Sequence, residues 1–139
     1  MARHTNKQGF TIVELITVIA VIGILATIGI VSYSGYRTRA AKSSADSTVQ
    51  QVKLKLGEYF TDNNRYPASS ADVTTYLNSV QAGTTATAFT AITGGGGTYA
   101  ATPSGCATTG GTACSSYTIT VPATYWGAPS TDASISVAP

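Results

Sequence analysis

Charge is scarce in this chain and nearly vanishes from its second half. Among 139 residues there are 8 Lys and Arg and 6 Asp and Glu; no cation follows Arg65, and beyond it only Asp72 and Asp132 are acidic. The net charge of +2 rests on Arg3 and Lys7, because cations and anions balance from Phe10 onward. That balance lacks the basic footprint a nucleic-acid partner requires, so DNA is not implied as a partner. Histidine is scarcer still, His4 being the only one. Neither a Ser-His-Asp set nor a histidine-containing metal site can be assembled after it. The acids beyond Glu14 are scattered as Asp46, Glu58, Asp62, Asp72 and Asp132. A single-pass membrane-anchored enzyme is therefore a remote reading; no catalytic residue is nominated and no cofactor is implied. The length suits one ordinary domain with one appended element.

Cysteine is limited to Cys106 and Cys114, in a Gly/Thr-rich loop between candidate strands. A metal site would need further ligands that this region lacks. The pair favours a disulfide, which places this part of the chain in an oxidising compartment. Closing so short a loop stabilises by ~2.5 kcal/mol in the chain-entropy model, less any strain.

Proline is absent from Phe10 to Phe60, where two helical patterns follow one another. Leu15 to Val31 carries no charge, and the apolar run extends from Phe10 to Tyr33 with Glu14 as its one acid. At ~1.5 Å per residue the extended run reaches ~36 Å, enough to cross a hydrocarbon core of ~30 Å. A cleaved secretory signal is the competing reading. Against it, the polar start ends before the apolar run, the run contains an acid, and no A-x-A-like site follows. From Ala41 to Tyr59 the apolar residues Ala41, Ala45, Val49, Val52, Leu56 and Tyr59 mark one face of a helix, with Leu54 off the stripe. One helix is expected over Phe10–Phe60, stopping at Asp62-Asn63-Asn64 before Pro67.

Ser69 and Asp72 resemble a capping box opening a short helix, with Val73, Tyr76, Leu77 and Val80 at helical spacing and Ala82-Gly83 ending it. The period then changes to two. Tyr117, Ile119 and Val121 alternate with threonines, and Ala133, Ile135 and Val137 alternate with serines, as in half-buried antiparallel strands. Gly94 to Gly97 is read as the turn of a hairpin between strands at Phe89–Ile92 and Thr98–Ala101. The expected fold is α+β: a long N-terminal helical stem, half membrane-spanning and half amphipathic, packed on a small antiparallel sheet. The divisions are 1–9, a polar leader; 10–36, the spanning half; 37–61, the amphipathic half; and 62–139, a head.

The string Lys7-Gln8-Gly9-Phe10-Thr11-Ile12-Val13-Glu14, followed at once by an apolar helix, resembles the class III signal of type IV prepilins and pseudopilins. Tyr59 to Pro67 is similar to the segment joining stem and head in that family. The resemblance implies cleavage between Gly9 and Phe10 by a prepilin peptidase, N-methylation of Phe10, and a role for Glu14 in assembly. It further implies an assembly ATPase, a platform protein and a helical homo-oligomeric filament. The precursor would sit in the inner or cytoplasmic membrane with its C-terminus outside, and the mature protein in an extracellular pilus. A structural pilin is the favoured function, with a pseudopilin of a type II secretion or competence system as the alternative. Many pilins have a proline in the spanning half where this chain has Val31; Gly23, Gly29 and Gly35 stand there instead, each costing ~1 kcal/mol of helix propensity against alanine.

Blander readings compete at several positions. Glu14 could be an ordinary first-turn acid, and Phe10 simple membrane packing. Asp62-Asn63-Asn64 fits a helix-ending turn better than a calcium loop, whose spaced acids are missing. Tyr125 and Trp126 fit core better than an adhesive patch. Arg37, Arg39, Lys42, Lys53 and Lys55 fit a solvated or subunit-pairing face better than a DNA contact.

Overall fold

The computed structural model describes residues 9–80, 83–130 and 134–139, with the backbone alone at 29–32. Residues 1–8 of the expected 1–9 leader, Ala82 of the expected Ala82-Gly83 helix stop, and Asp132 and Ala133 lie outside these residues, as does the side chain of Val31. The chain divides between Arg37 and Thr38 into two compact units.

Helix α1 runs over Ile12–Asn63. The sequence offers no proline to break it, and its end is written locally. Asn64 takes a left-handed φ of 54° while its N–H donates to Phe60 O at 2.7 Å. Asn63 donates its side-chain amide to Tyr59 O at 3.0 Å. Asparagine tolerates that conformation better than other non-glycine residues, so this turn is where the helix stops.

In the unit Thr38–Pro139, the stripe Ala45, Val49, Val52 and Leu56 of α1 is buried in one core with the elements that follow. Helix α2, Ser70–Val80, contributes Val73 and Leu77. Its start carries a full capping box: Ser69 N–H and Oγ donate to Asp72 Oδ2 at 3.2 and 2.8 Å, and Asp72 N–H donates back to Ser69 Oγ at 3.2 Å. Strands β1 (Thr98–Thr102), β2 (Ser116–Val121) and β3 (Ile135–Val137) form one antiparallel sheet in that spatial order. The register sets Tyr99 opposite Ile119 and Ile119 opposite Val137, so alternate residues of all three strands share the inward face. The fold is α+β, as expected.

One element differs. Phe89–Ile92 is not a strand but part of helix α3, Thr84–Gly94. Thr85, Ala86, Phe89 and Ile92 are its buried residues, a helical spacing rather than an alternation. The threonines that raise β propensity are absorbed by the helix. Thr87, Thr90 and Thr93 donate their hydroxyls to the carbonyls of Gly83, Ala86 and Phe89. The four glycines turn no hairpin; they end α3, with Gly95 N–H reaching Ala91 O and Ile92 O and Gly97 N–H reaching Ile92 O. A Cβ on Gly97 would lie 2.8 Å from Ile92 O, so glycine is required for the backbone to pass there. Thr85, the buried polar residue of α3, donates to Gln51 Oε1 of α1 at 3.0 Å.

Aromatic rings tie the end of α1 to the sheet. Phe60 stacks on Tyr66 at 4.7 Å, Tyr66 meets Tyr117 edge-on at 4.8 Å, and Tyr117 stacks on Tyr99 at 5.7 Å. Burial, and then the nearby Tyr66, pushes the Tyr117 phenol up to about 12. Trp126, in a 3₁₀ turn over Ala123–Trp126, is buried, with Lys42 Nζ 5.7 Å from its ring centre.

Candidate functional site

Gly9 and Phe10 precede α1 without regular structure, and both are exposed. Among the described residues, nothing lies within 4 Å of where a Gly9 Cβ would sit.

The start of α1 is built by Thr11 and Glu14. Thr11 N–H and Oγ1 donate to Glu14 Oε2 at 2.9 and 2.7 Å, and Glu14 N–H donates to Thr11 Oγ1 at 3.3 Å. This is a capping box, and it satisfies two of the donors a helix start leaves unpaired. It also fixes the Glu14 side chain through one oxygen and leaves Oε1 outside the box. Sequence reasoning singled out Glu14 and passed over Thr11. The signal was present, since Thr11-x-x-Glu14 has the same form as Ser69-x-x-Asp72.

Around and beyond the box every large apolar side chain from Phe10 to Ile28 is exposed, Phe10 at 86% and the least, Val18, at 49%. A window of this helix reaches a mean hydropathy of 2.7 with none of it buried. A helix apolar on all sides needs lipid or other apolar helices around it. Its hydroxyls do not interrupt that surface: Thr17 donates to Glu14 O and Thr27 to Gly23 O, both at 2.9 Å.

Cys106 and Cys114 belong to the other unit, where they form a disulfide with Cα atoms 5.1 Å apart. Their loop is held at three further points. Thr108 Oγ1 donates to Asp72 Oδ2 at 2.6 Å, Arg65 donates to Gly110 O at 3.0 Å, and Tyr66 N–H donates to Cys114 O at 2.8 Å. The Thr108 hydroxyl, with Ser69 second, holds the Asp72 carboxyl below the usual aspartate range. Among the described residues, no three His, Cys, Asp or Glu side chains gather as a metal site would require.

The capped and exposed apolar first part of α1 fits a membrane-anchored precursor. Residues 4–30 match the family model of the prokaryotic N-terminal methylation motif, the class III signal of type IV pilin-like proteins. That family is structural, and the motif implies prepilin peptidase processing and filament assembly in type IV systems. No curated protein and no solved structure matches the chain significantly.

Proposed function

We infer that this chain is a pilin, the structural subunit of a type IV pilus-like filament. The observation that carries the reading is the exposed apolar surface from Phe10 to Ile28, which lies within the residues that match the methylation motif. Lipid covers that surface in the precursor, which spans the inner membrane with its C-terminus outside; neighbouring copies of the same helix cover it in the filament. A prepilin peptidase cuts between Gly9 and Phe10 and methylates the new amine. An assembly ATPase and platform protein then drive extraction from the membrane.

Glu14 acts at that step. Once lipid is exchanged for neighbouring helices, the cationic amine of Phe10 needs a counter-charge in apolar surroundings. Thr11 holds Glu14 through Oε2, and the second carboxylate oxygen receives the amine of an adjacent subunit, which sets the axial register between helices. The Cys106–Cys114 disulfide keeps its loop closed in the oxidising exterior.

Electron microscopy of filaments sheared from cells at native expression, with subunits identified by mass spectrometry, tests the reading. Surface filaments composed mainly of this chain are expected. Cells that keep the chain in the membrane fraction and shed no filament containing it would overturn the pilin reading in favour of a pseudopilin of a secretion or competence system.

A further inference from the structure

We propose that Tyr33, Tyr36 and Arg37 form a headgroup-binding collar that grips lipid phosphates at the membrane surface and sets the depth of the subunit before assembly. The proposal rests on the reading of the first part of α1 as a membrane span. The three residues stand at i, i+3 and i+4 on α1, which places them on one helix face. All are exposed, Tyr33 at 66% and Tyr36 at 72%. Such rings have an apolar body and a polar tip, the combination that settles at a membrane–water boundary.

Their position along the helix fits that boundary. From Ile12 to Tyr33 α1 rises about 32 Å, against a hydrocarbon thickness of about 30 Å. With the capped start at one edge of the hydrocarbon, the tyrosines reach the other.

Charge points to the ligand. Between Glu14 and Asp46 the only charged side chains are Arg37, Arg39 and Lys42, so the sequence places cations alone just past the apolar run. Among the described residues the salt bridge is Lys55 with Glu58, and Arg37 has none. Lys42 lies against Trp126. An unpaired guanidinium beside two interfacial phenols matches a phosphodiester headgroup, which it can meet with two parallel hydrogen bonds. Duplex DNA is the weaker fit, because the cations adjoin an apolar surface and none follows Arg65.

The test is solid-state NMR on the full chain, labelled with ¹⁵N in arginine and reconstituted in vesicles of equal parts phosphatidylglycerol and phosphatidylethanolamine. Lipid ³¹P should dephase a guanidinium signal, and Arg37→Gln should remove more than half of that dephasing. Full dephasing in Arg37→Gln, or none in the wild type, overturns the proposal. So does loss of lipid dephasing to added duplex DNA. Resistance of the vesicle-bound protein to alkaline extraction is measured alongside. A resistant protein without dephasing defeats the collar alone, whereas an extractable one defeats the membrane-span reading and the collar with it.

Discussion

At Glu14 the capping role seen in the structure and the proposed assembly role would share one carboxylate. As the last residue of a capping box it stabilises the start of its own helix through Thr11; as a counter-charge it would meet the amine of another chain. Glu14→Gln separates them, because the amide oxygen still accepts the Thr11 hydrogen bonds while the charge is gone. The variant is expected to insert into the membrane and fold normally, with filament yield falling at least tenfold when it is the only subunit expressed. Normal filament numbers and lengths would refute charge pairing. Asp72, in the matching box of α2, makes a pH prediction. Its folded carboxyl titrates below the ordinary value of 3.8, with Thr108 the main cause. The stabilisation is therefore complete above that value and is lost as pH falls through the folded one. Hydrogen exchange at the Ala68 amide, which donates to Thr108 Oγ1, should accelerate in that acid window and not in Asp72→Asn, where the titration is absent. Leucines two residues apart give a sharper contrast. Leu56 is fully buried and Leu54 is 69% exposed, so Leu56→Ala should cost about 2–5 kcal/mol and Leu54→Ala about 0.5 or less. Chemical denaturation followed by the fluorescence of Trp126 measures both.

Among the elements, those with strong local signals were legible in the sequence. The stripe Ala45, Val49, Val52 and Leu56 identified the buried face of α1, and Tyr117, Ile119 and Val121 the inward face of β2. α2 was announced by Ser69 and Asp72. α3 was not, because its Thr-rich sequence favours strands locally and the four glycines at its end, Gly94 to Gly97, look like a hairpin turn. Burial of Phe89 and Ile92 on one helical face decided the matter, and that is a tertiary effect. The Phe60–Tyr66–Tyr117–Tyr99 ring set was likewise invisible, since it joins residues far apart in the chain. The loop closed by Cys106 and Cys114 makes its own prediction. Free-thiol labelling of the exported, unreduced protein should give no signal, and reduction should lower stability by roughly 2–4 kcal/mol. Two reactive thiols in the exported protein would contradict an oxidised loop.

For the molecule as a whole, the division near Arg37 separates two kinds of information. The methylation motif lies in the first unit and was readable because it is local: a glycine, an aromatic, a capped acid and an apolar run in fixed order. The second unit depends on packing between distant segments and offers no comparable motif. A type IV pilin of this sequence must be cut at the Gly9–Phe10 peptide, ahead of the Thr11–Glu14 cap. Mass spectrometry of the N-terminal peptide, from protein purified out of its native envelope or filaments, tests this most directly. A terminus at N-methylated Phe10 is the predicted result; a chain that retains Met1 or Ala2 in that fraction would contradict it.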